Sequence, residues 1–281
     1  MTAMVLRRQG RPLDQMRDAR ITYDVFGYAA GSVLFELGNT KVLCSVSLQP
    51  GVPAFLKGKR VGWLTAEYAM LPTATTVRTT RESEQGRKNG RNVEISRFIG
   101  RSLRAVVDLE KIGERTIIID CDVLQADGST RTACITAANF ALEQAQRAWI
   151  SARIIDAPIM HDGIAAVSIG LYDGQILVDL DFREDSSIDA DFNIVMTRSG
   201  QFVEVQGAAE RRPYTLQQCM LVQETAMRAA QTLFCMGQEN ASHTKKSVDL
   251  SGTPANSSSE RSISEGKAPL FSLKNRLTSG T

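Results

Sequence analysis

The stretch "TIIIDCDVLQADGSTRTACITAANFALEQAQRAWI", residues 116–150, contains the transition that decides the fold. Thr116 to Leu124 is apolar and rich in β-branched residues, which predicts a buried strand. Ile135 to Ile150 is rich in alanine and predicts a helix. Between them, "ADGSTRTA" (residues 126–133) predicts a turn that ends the strand and begins the helix.

This junction has two interpretations. Ser129 and Thr130 are good helix N-caps and Gly128 suits a turn, so the segment could be an ordinary helix start. Alternatively, the hydroxyls, the free backbone N–H groups and Arg131 could form an anion site at the helix N-terminus. The junction alone leaves both interpretations open.

The same alternation of strands and helices extends over residues 1–240. Hairpin turns are predicted at Gly38-Asn39, at Asp173-Gly174 and at Ser199-Gly200. Helical spacing of apolar residues predicts a helix from Val93 to Leu109 and a closing helix over residues 215–237. Strand hairpins followed by helices, twice over, predict an α+β fold with helices packed on largely antiparallel sheets. Residues 241–281 are rich in Ser, Gly, Thr and charge, which predicts a disordered polar tail.

The composition excludes some classes of protein. With 43% hydrophobic and 23% charged residues the chain is typical of a globular protein, and it has no run of about 20 apolar residues that could cross a membrane. The N-terminus lacks the apolar core of a signal peptide. The five cysteines are scattered through apolar segments, which favours free thiols and a cytoplasmic location. Only two histidines are present, which disfavours a mechanism built on a histidine base.

Arg78 to Arg104 form a basic segment that contains eight Arg or Lys residues and three Glu. A segment of this kind is often a solvated face. It could also bind the phosphate backbone of a nucleic acid.

An acidic segment, "DLDFREDSSIDADFN" (residues 179–193), holds six carboxylates: Asp179, Asp181, Glu184, Asp185, Asp189 and Asp191. A solvated hairpin loop is one interpretation. The other is a magnesium site at Asp185 and Asp191, which flank a short loop and could converge on one ion. An anion site, a divalent-cation site and a basic segment together suit chemistry at phosphorus, which depends on positioning and charge neutralisation.

Long blocks of the chain resemble bacterial ribonuclease PH, the phosphate-dependent 3′→5′ exoribonuclease or tRNA nucleotidyltransferase family. They run in register from about Gly10 to Thr232 and include "GSVLFELGNTKVLCSVS", "GWLTAEYAMLP", "GRNVEISRFIGRSLRAVVDL", "DCDVLQADGSTRTA" and "VEVQGAAE". The resemblance implies a fold like domain 2 of ribosomal protein S5 and a homohexameric ring built as a trimer of dimers. It also implies removal of nucleotides from the 3′ ends of tRNA precursors and other RNAs as nucleoside diphosphates, with inorganic phosphate as co-substrate.

The resemblance also implies roles for individual residues. Arg91 and the group Ser129, Thr130 and Arg131 would bind the attacking phosphate, with Ser129 standing where the family usually has a glycine. Asp185 and Asp191 would bind Mg²⁺ or Mn²⁺. Arg78, Arg81 and Arg87 would contact RNA.

Three other classes of protein fit the sequence less well. A non-catalytic ring subunit would commonly lack the phosphate-binding arginines or the metal carboxylates, and this chain has both. A small-molecule kinase would need a Gly/Ser-rich nucleotide loop that opens a helix, and none is evident. A plain RNA-binding protein would leave the acidic segment unexplained.

Overall fold

The computed structural model describes residue 7, residues 10–81, residue 84 and residues 89–243. These residues form two β-sheets and the helices that pack on them. The predicted α+β fold is confirmed. The helix that closes the described chain continues to His243, and the rest of the predicted tail, residues 244–281, lies outside the described residues.

The first sheet is mixed. Its strands are β1 (Ala19–Tyr23), β2 (Gly31–Leu37), β3 (Thr40–Pro50), β4 (Trp63–Met70) and β5 (Arg115–Gln125), in the spatial order β1-β2-β3-β5-β4. All neighbours are antiparallel except β4 and β5, which are parallel. A parallel pair needs a long crossover, and here helix α1 (Gly90–Arg104) lies in that connection.

The second sheet is fully antiparallel. It contains β6 (Ile164–Tyr172), β7 (Gln175–Val178), β8 (Ala190–Thr197) and β9 (Phe202–Ala209), in the order β7-β6-β8-β9. A short helix, α3 (Phe182–Asp185), follows β7, and the long helix α4 (Leu216–His243) follows β9. The three predicted hairpin turns are confirmed, since Gly38, Asp173, Gly174 and Gly200 all have positive φ angles.

Helix α2 (Thr130–Ser151) packs against strands of both sheets, and 14 of its 22 residues are buried. Gly31 of β2 permits this close packing, because a Cβ added there would collide with the backbone of Ala141 on the helix. Two buried polar side chains on α2 also bind the second sheet. Asn139 Oδ1 accepts from the backbone N–H of Ile164 at 2.8 Å, and Thr136 Oγ1 accepts from that of Ala166 at 3.0 Å. The core therefore surrounds α2, and the start of this helix is fixed relative to both sheets.

The five cysteines are free thiols, as predicted, but they are not uniformly buried. Cys44, Cys121 and Cys134 are buried, Cys219 is half-buried and Cys235 on α4 is exposed. Within the described ranges, none of the helices is both long and apolar enough to span a bilayer. The cytoplasmic location stays a prediction.

Candidate active site

A cleft of about 620 Å³ opens at the start of α2. Arg91 from the start of α1 and Arg131 from the start of α2 line it, together with Asp185 at the end of α3 and Asp191 at the start of β8. Three regions that are far apart in sequence therefore bring two guanidinium groups and two carboxylates to one cavity, since Asp185 and Asp191 belong to neighbouring elements. The sequence predicted that these four residues share a site, and the structure brings them together.

The first turn of α2 forms one wall of the cleft. Gly128 and Ser129 both adopt left-handed backbone conformations, with φ angles of 76° and 56°, and the helix begins at Thr130. The Ser129 side chain does not cap the helix. Backbone N–H groups in a first helical turn have no partner within the helix, and the helix dipole adds partial positive charge there. This wall therefore has the chemistry of an anion site, and the capping interpretation of Ser129 is wrong.

The Ser129 hydroxyl is engaged elsewhere. Its Oγ lies 2.6 Å from Ser168 Oγ, 3.0 Å from Asp179 Oδ1 and 2.8 Å from the carbonyl oxygen of Leu180. The hydroxyl therefore binds the second sheet and the loop that follows β7. The backbone amide of Ser129, rather than its hydroxyl, is therefore the group that could bind an anion. Thr130 is buried, and its hydroxyl accepts a hydrogen bond from Tyr68 at 3.3 Å.

The loop before α2 is held by the first sheet and by the segment that precedes β1. On the side of the first sheet, Thr40 Oγ1 donates to the carbonyl oxygen of Gly128 at 2.7 Å and accepts from the N–H of Asp127 at 3.1 Å. On the other side, Arg17 binds the Asp127 carbonyl and forms an ion pair of 2.6 Å with Asp179. The loop that precedes Thr130 is therefore held by contacts on two sides.

Gly128 also permits a close approach. A Cβ at this position would lie 2.5 Å from the carbonyl carbon of Asp181 and closer still to the carbonyl oxygen of Leu180. Both neighbours are backbone atoms and cannot rotate away. The glycine of the "GSTR" motif is therefore required both by its φ angle and by the space around it.

The two arginines are placed by helix starts. The Asn89 side chain caps α1 by accepting from the backbone N–H of Arg91 at 3.0 Å, which fixes the turn that carries the Arg91 side chain. Arg131 Nη1 lies 3.8 Å from Glu94 Oε2, and both groups remain partly exposed. A guanidinium presents a planar set of donors that matches phosphate oxygens in pairs.

The surroundings of the two cleft carboxylates disfavour their charged forms. Burial raises the pKa of Asp185 above its usual range, and the charges of Arg91 and Arg131 partly oppose that shift. Burial also raises the pKa of Asp191, and the negative charges of Asp185 and Glu210 raise it further. Charged carboxylates in such surroundings gain from a nearby cation. Among the described residues no cluster of three or more His, Cys, Asp or Glu side chains could hold a metal, but two carboxylates suffice for Mg²⁺, which keeps several water ligands. The residues present fit a divalent cation.

The acidic segment does not behave as one unit. Its interpretation as a solvated loop is wrong for Asp179, Asp181 and Glu184, which are 1%, 3% and 0% exposed. Arginines from the N-terminal segment neutralise two of these groups: Arg17 pairs with Asp179, and Arg7 pairs with Glu184 at 3.3 Å. These carboxylates are structural, whereas Asp185 and Asp191 face the cleft.

Several cleft residues were not predicted from the sequence. Phe182, Glu210 and Arg211 all line the cavity. The backbone N–H groups of Glu210 and Arg211 both donate to the carbonyl oxygen of Asp189, at 2.8 and 2.9 Å, which holds their loop beside the acidic segment. Glu210 and Arg211 directly follow "VEVQGAA" on β9, and β9 pairs with β8, where Asp191 lies. This adjacency could have indicated that they lie near Asp191.

Two of the three predicted RNA-binding arginines do not line this cavity. Arg78 and Arg81 are exposed on the segment after β4 and do not line the cleft, although Thr75 of the same segment does. Arg87 lies outside the described residues. The RNA-binding role of these three residues stays a prediction.

Comparison with known proteins identifies the family. Residues 15–148 match domain 1 of the 3′ exoribonuclease family (RNase PH), and residues 162–229 match domain 2 of the same family. The fold is similar to that of rice (Oryza sativa) Rrp46, at 18% identity and a TM-score of 0.68 over 83% of this chain and 98% of that one.

Two archaeal structures share the fold. The Archaeoglobus fulgidus exosome with RNA bound to the active site has 22% identity and a TM-score of 0.69 over 83% of this chain and 91% of that one. An archaeal exosome core has 21% identity and a TM-score of 0.64 over 82% and 90%. The predicted fold, with its likeness to domain 2 of ribosomal protein S5, is confirmed. Since the two family domains together cover most of the sequence, the chain belongs to the 3′ exoribonuclease family of RNase PH proteins.

Proposed function

We propose that this protein is a phosphate-dependent 3′→5′ exoribonuclease of the bacterial ribonuclease PH type, which trims tRNA precursors and other RNAs and releases nucleoside diphosphates. The observation that carries the proposal is the arrangement of the cleft. Arg91, Arg131 and the open first turn of α2 provide an anion site, and Asp185 and Asp191 line the same cavity. Family membership supplies the reaction class, RNA cleavage from the 3′ end.

The proposed reaction needs little acid-base chemistry from the protein. An oxygen of hydrogen phosphate attacks the phosphorus of the last phosphodiester, and the bond from that phosphorus to the 3′ oxygen of the preceding nucleotide breaks. The proton of the hydrogen phosphate ends on that 3′ oxygen, and the departing nucleotide leaves as a diphosphate. The nucleophile is already an anion at neutral pH, so this step needs no histidine base.

Arg91 and Arg131 hold and orient the phosphate in this scheme. Each guanidinium can donate two parallel hydrogen bonds to phosphate oxygens, and Arg131 does so from a helix start whose dipole also favours anions. Asp185 and Asp191 would hold Mg²⁺ or Mn²⁺, which supplies positive charge for the oxygens of the scissile phosphate. A fixed set of charges in a partly buried cleft is the main requirement of phosphoryl-type transfer.

The direct test is incubation of the pure protein with a 3′-extended tRNA, with and without inorganic phosphate. We expect shortened RNA and nucleoside diphosphates only when phosphate and a divalent cation are present. Nucleoside monophosphates would indicate hydrolysis instead, and RNA binding without any product would indicate a non-catalytic ring subunit.

Variants connect the reaction to the cleft. Arg131→Ala should abolish phosphate-dependent trimming while the fold and RNA binding remain. Arg147→Ala is a matched control, because Arg147 is exposed further along the same helix and lies outside the cleft. Asp191→Asn should also fold normally and lose activity, and full activity of that variant in saturating Mg²⁺ would refute the metal role.

We also propose that the protein assembles as a homohexamer, a trimer of dimers. The support is the resemblance to ribonuclease PH, together with a fold shared with the subunits of exosome assemblies. Native mass spectrometry should give six copies of the 30.8 kDa chain. A monomer at micromolar concentration would refute the assembly and leave the proposed chemistry to be judged by the product analysis.

A further inference from the structure

An exposed aromatic ring faces the proposed reaction centre. Phe182 lines the cleft and is 63% exposed. Phe192, the other phenylalanine that lines the cavity among the described residues, is only 1% exposed and packs against Tyr214. A large apolar side chain left in water forgoes the stabilisation that burial would provide. Other large apolar side chains are also exposed, but Phe182 is the phenylalanine that presents its exposed ring to the cleft among the described residues.

A capping box holds the backbone at Phe182. Phe182 begins α3, and Asp181 caps that helix by accepting from the backbone N–H groups of Arg183 and Glu184 at 2.8 and 2.9 Å. In return Glu184 Oε2 accepts from the N–H of Asp181 at 3.0 Å, which completes a capping box. Glu184 is in turn held by Arg7 and by Arg11, at 3.3 and 3.2 Å. The ion pairs of Glu184 therefore stabilise the helical turn that carries Phe182.

Phe182 lies on the same short helix as Asp185, one of the charged groups of the cleft. It lies three residues before Asp185, on the same helical turn, and Ser186 Oγ donates to its carbonyl oxygen at 2.7 Å. The other named cleft groups, Arg91, Arg131 and Asp191, recognise charge. A terminal nucleotide presents both a charged phosphate and a flat, apolar base, and the charged groups account only for the phosphate.

We propose that the Phe182 ring is the stacking platform for the base of the 3′-terminal nucleotide. The inference rests on the proposed function, because it takes RNA to be the ligand of this cleft. Stacking on an aromatic ring accepts every base, since each base has a π face. This suits an enzyme that removes successive nucleotides regardless of sequence. RNA is favoured over a protein partner because the ring shares a concave cavity with two guanidinium groups.

Binding measurements test the proposal without requiring turnover. Fluorescence anisotropy would compare the wild type, Phe182→Ala and Phe182→Tyr, without phosphate, on an oligoribonucleotide and on the same oligomer with an abasic 3′-terminal residue. We expect Phe182→Ala to weaken binding of the ordinary RNA by about tenfold and Phe182→Tyr to preserve it. On the abasic RNA, the wild type and Phe182→Ala should bind equally. Phe26→Ala is the matched control, because Phe26 is 45% exposed and lies outside the cleft.

Three outcomes would overturn the proposal: wild-type affinity of Phe182→Ala for ordinary RNA, an equal loss on the abasic RNA, or a change of oligomeric state in this variant. The test is separate from that of the proposed function. A wild-type protein that releases no nucleoside diphosphate but shows base-dependent binding through Phe182 would refute the catalytic proposal alone. A wild-type protein that trims RNA while Phe182→Ala behaves identically would refute the stacking proposal alone.

Discussion

Two glycines form a matched pair that tests whether the anion site depends on the close approach at Gly128. Gly128 and Gly174 have nearly the same φ angle, 76° and 75°. An added Cβ at Gly128 would collide with the backbone of Leu180 and Asp181, whereas at Gly174 it would meet nothing within 4 Å. Replacement of each by alanine therefore separates the cost of the backbone conformation from the cost of the collision.

The expected magnitudes follow from these two costs. A non-glycine residue in the left-handed region costs about 1 to 2 kcal/mol, which is the whole penalty for Gly174→Ala. Gly128→Ala carries the same penalty and must also displace backbone, which adds about 1 to 3 kcal/mol. We therefore expect Gly128→Ala to unfold at a Tm lower than that of Gly174→Ala by about 4 to 8 °C, from a difference of about 2 kcal/mol.

Activity should separate the two variants more sharply. A displaced Gly128 moves the first turn of α2 relative to Asp185 and Asp191, and a misplacement of about 1 Å can cost about 100-fold in rate. Thermal unfolding followed by circular dichroism gives the stability, and phosphate-dependent release of nucleoside diphosphate gives kcat/KM. Equal Tm values for the two variants, or full activity of Gly128→Ala, would refute the argument from close approach.

Three further predictions concern single contacts. Glu94→Gln removes a negative charge 3.8 Å from Arg131. The KM for phosphate should therefore fall up to about fivefold at low salt, and the effect should vanish at high salt. A higher KM would mean that Glu94 orients the arginine. Ser129→Gly should leave the KM for phosphate unchanged, because the hydroxyl binds Ser168 and Asp179. The stability of this variant should change by less than about 1 kcal/mol, since the lost hydrogen bond offsets the relieved left-handed strain. A raised KM would mean that the hydroxyl binds the phosphate. Burial raises the pKa of Tyr23 to about 12, so its contribution to stability is complete below pH 10 and is lost as the pH rises through 12. Because the ring is partly exposed and solvent weakens the effect, Tyr23→Phe should lose about 1 kcal/mol less than the wild type between pH 9 and pH 11.5 in urea unfolding. Identical losses would contradict the shift.

Much of the fold could be predicted because its signals are local. The hairpins turn at Gly38, at Asp173-Gly174 and near Gly200, where glycine or aspartate supplies the positive φ that a tight turn needs. Helix α1 begins at Gly90, earlier than the predicted Val93, because the Asn89 side chain caps it. Apolar spacing finds the buried face of a helix, but cap chemistry sets its first residue.

The candidate site was predictable only in part, and the reason is distance along the chain. The hydroxyls and arginine of "GSTR" and the two aspartates are visible as motifs. The orientation of the Ser129 hydroxyl is not, because it depends on Ser168 and Asp179. Arg17 and Asp179 are 162 residues apart, and no local pattern links them. The apolar residues before Asp179 could have indicated that this carboxylate is buried and therefore paired.

The position of α2 has a consequence for attempts to divide the protein. By sequence this helix ends the first family domain, which matches up to residue 148, yet it also packs against β6 of the second. A polypeptide cut in the connection between Ser151 and Ile164 would leave the second sheet without its covering helix. We expect neither fragment to be independently stable, and the two to regain structure only when mixed, as a complementing pair.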